Sequence, residues 1–502
     1  MFNTVKRPRL KSSNFDLSHE HKLTTNMGLL YPTALKEVLP GDFFNCNTEI
    51  LVRLAPTLAP VYQKIDVFVH WFFVPNRLIW DDWEDFITET KTYTVPHYDH
   101  SESYGATIKG NLGDAFGVGD LIAGTQDRVT LSKLPFRAYN MIWNEFYRDQ
   151  NLQDERDLDN VTLARRAWSK DYFTSGLPTT QRGAETTVPL NAASLNRFDY
   201  DNRMSTTVDN ESGGNVNPAP AGTLGVNASG NQYVMNAGAG NPEVYNKNLR
   251  NDSLGEDVSF SISDLRISEA LQKWKERSMR VGQRYTEYLL GFWNSRSGDA
   301  RLNRPEFLGG GKQSVNVSEV MQTATDAAND QFTGDMYGHG YALGANNNFV
   351  KKFVEHGHVM AIISVMPKAS YFQGVDRAFS RETVFDFAHP DLAHIGEQAI
   401  FNKELLASSS TPDDVFAYQS RYAEYKYGKP ITSGDFKESL KFWHLGREFA
   451  NQPLLNEDFI TCNPSNRIFS VTDAGVDHLW IQVYNKMLVR RQLPYYSNPR
   501  LI

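Results

Sequence analysis

The sequence predicts a mainly β protein, an antiparallel sandwich whose connections have grown into large insertions. Three observations carry this. The run 65–74, IDVFVHWFFV, holds only Asp66 and His70 as polar side chains among Val, Ile and aromatic residues, the pattern of a strand covered on both faces. Strand-like alternation recurs towards both ends of the chain. Helices and loops fall between these stretches without the regular interspersion that parallel βαβ winding requires.

Taken in order, PGDFF at 40–44 is a turn leading to a strand at 48–54, and APTLAP at 55–60 joins it to the apolar strand. Pro75 lacks a backbone donor and closes that strand. Trp80, Trp83 and Phe86, spaced three apart, predict one face of a short helix. The Tyr, His, Gly and Asp-rich text at 95–127 predicts a long surface loop. Tyr139, Ile142, Trp143 and Phe146 then recur at helical spacing, with Pro135 near the helix start. Residues 171–190 carry turn residues throughout and predict an extended segment.

Residues 199–257 contain eleven Asn, eight Gly and five Ala, too few large apolar side chains to offset the ordering entropy alone. They predict either disorder or an excursion pinned by neighbours. Asn210, Asn227 and Asn251 head N-x-S sequons there, which without a secretory signal are chance matches. A helix is expected at 264–293, capped by Ser263, with Ile267, Leu271, Trp274, Val281, Tyr285, Leu289 and Phe292 on one face. After NRPEFLGGG at 303–311 the period returns to two, predicting strands at 314–320, 349–354, 359–366, 415–427 and 479–489.

The chain has 502 residues, more than one ordinary core fills. Its 51 Lys and Arg against 59 Asp and Glu give a net charge of −8, so any contact with nucleic acid is local. Cys46 and Cys462 allow one bridge at most, and a reducing compartment is the simpler expectation. The first residues, MFNTVKRPRLKSS, lack the apolar core of a signal peptide. No run reaches the length of a membrane span, so membrane insertion is not expected.

Catalytic signals are weak. Asp81, Asp82, Glu84 and Asp85 supply acids for glycoside hydrolysis, yet adjacent carboxylates on a surface helix more often serve solvation. His19 with His21 and His356 with His358 share a strand face, but no third or fourth metal ligand is nominated. A structural role suits His358 better. Gly309 to Gly311 have no Lys-Ser/Thr partner for a P-loop, and no G-x-S-x-G occurs. No cofactor or metal is implied.

Several long strings have a common resemblance. PGDFF with VRLAPTLAPVYQKIDVFVHWFFVPNRLIW (52–80), YFTSGLPTTQRG (172–183), DARLNRPEFLGG (299–310), VFAYQSRYAEYKYGKPITSGDF (415–436) and WHLGREFANQPLLNEDFI (443–460) run in order along most of the chain. Together they resemble the major capsid proteins of microviruses, small single-stranded DNA bacteriophages, and especially the gokushovirus branch. The resemblance implies an eight-stranded antiparallel jelly roll with large helical and loop insertions, a T=1 icosahedral shell around circular single-stranded DNA, and no catalysis. It also implies association with other phage structural proteins, a small DNA-binding protein and a pilot protein, with assembly in the host bacterial cytoplasm. Residues 1–39 then form a basic arm and lead-in. Residues 40–502 form one capsid domain with insertions at about 90–300.

Two sets of cations are candidates for packaged DNA. Lys6, Arg7, Arg9 and Lys11 lie in a run without acids, as do Lys486, Arg490, Arg491 and Arg500. Each Lys or Arg on a phosphate releases condensed counterions, and Tyr495 and Tyr496 are available to stack on bases. The simpler alternatives are a frayed N-terminus and, for Arg490 and Arg491, ordinary interface charges. Residues 199–257 carry eight acids against three bases, which suits an outer surface. In related gokushovirus capsids an insertion there forms threefold protrusions, making 210–250 a candidate for attachment to a host receptor. Two other classes fit the composition: a carbohydrate-active β-sandwich enzyme and an oligomeric receptor-binding spike.

Overall fold

The computed structural model describes residues 12–119, 129–183 and 262–496, except 322, 324–335, 474 and scattered positions between 282 and 297, together with short strands between 198 and 251. The chain divides into two compact units, one of residues 1–182 with 276–502 and the other of residues 183–275.

In the larger unit, Ser13–Asp16 (β1), His19–Thr25 (β2), Tyr31–Val38 (β3), Phe43–Leu54 (β4) and Ile65–Pro75 (β5) come first. The short helices Asn76–Ile79 (α1), Trp83–Ile87 (α2), His100–Thr107 (α3), Leu112–Ala115 (α4) and Leu134–Ile142 (α5) follow, the last continuing as a π turn over Trp143–Tyr147. The smaller unit carries Phe198–Tyr200 (β6), Val208–Asp209 (β7), Asn215–Val216 (β8), Leu224–Val226 (β9), Tyr233–Met235 (β10), Glu243–Val244 (β11) and Leu249–Asn251 (β12). They pair as antiparallel ribbons, β12 on β6 closing the two ends of the excursion. The three sequons and 210–250 otherwise lie outside the described residues.

Helix α6 is Ile262–Val281; Arg284 is a bend, and residues 287 and 290–292 are helical again, so the expected helix to 293 is interrupted rather than continuous. Ile267, Leu271 and Trp274 of its expected inner face are exposed.

The later strands of the larger unit are Glu306–Ser314 (β13), Asn316–Met321 (β14), Met336–Lys352 (β15), Gly357–Pro367 (β16), Glu397–Phe401 (β17), Val415–Ser420 (β18) and Leu479–Arg491 (β19). One wall is a six-stranded sheet ordered β1-β19-β4-β15-β14, with β2 sharing the β1 edge of β19; the other is four-stranded, β13-β5-β16-β3. The pairings are antiparallel, so the fold is the expected mainly β sandwich. Against the eight strands implied by resemblance, the walls hold six and four, because β1 and β2 occupy one edge and the chain crosses between walls at Val315.

The apolar strand explains itself in this setting. Val67, Val69, Trp71 and Phe73 of β5 face the sandwich core, meeting Phe44, Val52, Ile481 and Val483 from the opposite wall. Phe72 and Val74 face the other way, against Ile79, Leu112, Phe136, Tyr139 and Ile142 of the inserted helices. Both faces are dry, so alternation disappears from the sequence. His70 sits on the helical side, its Nδ1 2.8 Å from the Tyr147 hydroxyl.

Several expectations need correction. Residues 95–127 are not one surface loop: α3 and α4 lie within, anchored by buried Tyr98, Ala106, Leu112 and Ala115. Glu102 accepts a hydrogen bond from the Asp99 amide at 3.2 Å, one half of a capping box. Residues 1–39 are not merely a lead-in, since β1, β2 and β3 are structural strands. Strand β13 begins at Glu306, before the first strand expected in this region, and its glycines serve proximity. A Cβ on Gly310 would lie 2.4 Å from the Val69 carbonyl. Strand β18 stops at Ser420, where Tyr422 takes a left-handed conformation (φ 61°) and a 3-10 turn over Ala423–Tyr425 follows.

Candidate functional site

The first and last strands of the larger unit meet at one corner of the six-stranded wall. Strand β1 pairs antiparallel with the end of β19, Ser13 opposite Arg491 and Asn14 opposite Arg490. Arg490 points out of the sheet, and its Nε donates to Ser12 Oγ at 2.9 Å. Lys486 emerges on the same exposed face, two pleats back. Beside them a groove of about 860 Å³ is bordered by Asn14, Phe43, Asn45, Lys352, Arg490 and Gln492. Tyr495 stacks on Phe15 with ring centres 6.0 Å apart, Tyr496 meets Tyr495 edge-on at 5.0 Å, and both tyrosines are largely exposed.

Arg491 behaves differently from its neighbour. Its Nε donates to Asp42 Oδ2 at 2.9 Å, its Nη2 donates to the Glu37 carbonyl, and its guanidinium lies 5.8 Å from the Phe44 ring centre. Asp42 is fully buried. This cation is committed to the fold of its own chain. Lys6, Arg7, Arg9, Lys11 and Arg500 lie outside the described residues.

Sequence reasoning missed Lys352 and Phe43, which border the same groove, and Lys22, Arg53 and Lys109, which line a second groove of about 720 Å³ beside Trp480. The signal was the alternation of β19, whose outward members include Trp480, Tyr484, Lys486 and Arg490. Register supplies the rest, setting Phe43 opposite Arg490 and Arg53 opposite Trp480. The acids Glu20 and Glu49 share this face, and Asp16 lies at its edge. Hydrogen bonds from Ser18 hold the Asp16 carboxyl below its ordinary value, with a smaller contribution from Lys486. The chemistry offered is salt-sensitive contact with phosphates and stacking on flat rings.

The other nominated groups are not assembled for catalysis. Asp81, Asp82, Glu84 and Asp85 are exposed or half-exposed around α2, and Asp85 pairs with Lys91 at 2.7 Å. His19 Nδ1 lies 3.0 Å from the Leu17 carbonyl and His21 Nδ1 3.1 Å from that of Thr33. Among the described residues no three His, Cys, Asp or Glu gather as metal ligands. Burial pushes the Cys46 and Cys462 thiols up to about 12. Among the described residues no helix is long and apolar enough to cross a membrane.

A large antiparallel sandwich with exposed basic, aromatic and apolar faces defines a protein that works through contact surfaces. The family model described as "Capsid protein (F protein)" matches residues 3–501, and the chain belongs to that family. The capsid protein VP1 of Chlamydia phage 1 is 32% identical, aligned over 100% of this chain and 97% of the relative. That of Bdellovibrio phage phiMH2K is 33% identical over 92% of this chain and 90% of the relative. That of Spiroplasma virus 4 is 28% identical over 100% and 97%. The resemblance read from the residues is thus borne out, and the protein is a structural, capsid-forming component of a virion rather than an enzyme.

Proposed function

We propose that copies of this protein close into a small T=1 icosahedral shell around circular single-stranded DNA, and that the DNA is met where the two basic chain ends converge. The observation that carries the second part is the pairing of β1 with the end of β19. The acid-free run containing Lys6, Arg7, Arg9 and Lys11 is covalently continuous with Ser12, whose hydroxyl accepts from Arg490. Two separate cationic stretches are therefore tethered to one corner of the sheet, beside Lys352 and the exposed Tyr495 and Tyr496. In a protein of net charge −8, that concentration favours phosphate contact through counterion release. Base stacking on each tyrosine adds about 1–3 kcal/mol.

The excursion at 199–257, with eight acids against three bases, gathers on the outer surface at the threefold axes and contacts the host receptor. A small DNA-binding protein and a pilot protein complete the particle, which assembles in the bacterial cytoplasm. The test neutralises Lys6, Arg7, Arg9 and Lys11 together and measures DNA per purified particle. DNA content falls and its dependence on salt weakens, because fewer counterions are released on binding. Unchanged packaging overturns the DNA assignment. Replacing 210–250 with a short Gly-Ser linker leaves shells intact but reduces host attachment, and unchanged attachment removes the receptor role.

A further inference from the structure

Between β16 and β17 the chain presents apolar side chains to solvent from a braced scaffold. Phe379 is 85% exposed, Val384 83%, Phe385 69% and Phe387 52%. These are not frayed positions. Asp376 Oδ1 accepts from the Ala378 amide at 2.9 Å, and Asp386 Oδ2 accepts from the Thr383 amide at 2.7 Å. The hydroxyls of Tyr422 and Tyr425 accept from the amides of His389 and Ala388 at 3.2 and 3.4 Å. The Arg381 guanidinium lies 4.5 Å from the Tyr425 ring centre and 5.3 Å from that of Phe387, bridging these two rings. Beneath them Arg377 bonds the Ala399 carbonyl at 2.7 Å and buried Glu404 at 3.3 Å.

Holding large apolar side chains out in fixed positions costs a single copy hydration free energy and returns nothing to its own core. The arrangement does suit a protein partner, because the ordering cost is already met before contact and aromatic side chains dominate interface cores. Charge excludes nucleic acid. Residues 375–395 contain Arg377 and Arg381 against Asp376, Glu382, Asp386 and Asp391. Both cations face acids of their own chain, Glu404 and Glu424. Among protein partners, the one that a capsid-forming chain must meet in every particle is another copy of itself. Closed shells also require heterologous patches of this kind.

We propose that Phe379, Val384, Phe385 and Phe387 form a subunit-to-subunit contact, buried against a neighbouring copy in the shell. This rests on the shell reading above. The test is a Phe385→Cys variant treated with a fluorescent maleimide. Native Cys46 and Cys462 are buried, so the introduced thiol alone is read. It is labelled at least ten-fold more slowly in intact particles than in the same particles dissociated by mild urea. Equal labelling overturns the proposal, as does protection that vanishes when other virion proteins are stripped from an intact shell. If the wild-type chain formed no shells, the shell reading itself would fail, which separates the two. A second variant, Phe385→Asp with Phe387→Asp, yields folded subunits that do not close. Shells at wild-type yield, with or without loss of host attachment, overturn the contact.

Discussion

Asp42 and Arg491, 449 residues apart in sequence, are joined by a 2.9 Å hydrogen bond between Oδ2 and Nε. The carboxylate is completely buried in the turn between β3 and β4, and the same Oδ2 also accepts from the Leu39 amide at 3.0 Å. The last residue of β19 thereby locks the turn that connects the two walls.

Arg491→Ala leaves that carboxylate buried without its cation. The expected loss of stability is about 3–5 kcal/mol, measured by urea unfolding of unassembled subunits. Arg490→Ala, on the exposed face one residue earlier, changes stability by less than about 0.5 kcal/mol. Similar midpoints for the two variants would refute this division of roles.

His358 is buried in β16, and burial drives its pKa down to about 4. The unfolded chain takes up this proton near pH 6.5 while the folded chain resists it until about pH 4. Stability is therefore fully present above pH 6.5 and declines as pH falls towards 4, by up to about 3 kcal/mol from this residue. His358→Met, which cannot titrate, flattens the acid limb. Urea midpoints at several pH values check this, and parallel limbs would count against it.

Gly310 lets β13 approach β5. An added Cβ would stand 2.4 Å from the Val69 carbonyl oxygen and 2.8 Å from His70 Cδ2. Gly310→Ala is expected to cost about 1–3 kcal/mol. Gly428→Ala, where a Cβ meets nothing within 4 Å, serves as the control. Equal unfolding midpoints in the two variants would show that the sheet absorbs the methyl group.

Tyr139 bridges the inserted layer to the sandwich. Its buried hydroxyl donates to the Leu30 carbonyl at 2.7 Å and accepts from the Ala164 amide at 3.0 Å. Tyr139→Phe strands both backbone groups and should cost about 1–3 kcal/mol. Hydrogen exchange at the Ala164 amide should accelerate. Unaltered exchange there would mean that water replaces the hydroxyl.

What the sequence determined by itself was local. The run of β5 announced burial on both faces because an unbroken apolar strand has nowhere else to go. Pro135 and the aromatic spacing after it placed α5, and the alternation of β19 separated its inward members from Lys486 and Arg490. Strand β15 was half hidden, since Gly338, Gly340 and Gly344 are poor strand formers. They fit because β15 packs closely on its neighbours: a Cβ on Gly340 would meet the Leu54 side chain at 2.4 Å. Strands β1 to β3 were missed because their pairing partners lie hundreds of residues away. For the same reason only the tertiary structure decided that Arg490 lies beside Phe43 and Lys352 while Arg491 is spent on Asp42. Two adjacent arginines read alike in sequence. On a strand they leave opposite sides of the sheet, and the partner waiting on each side is fixed by long-range register.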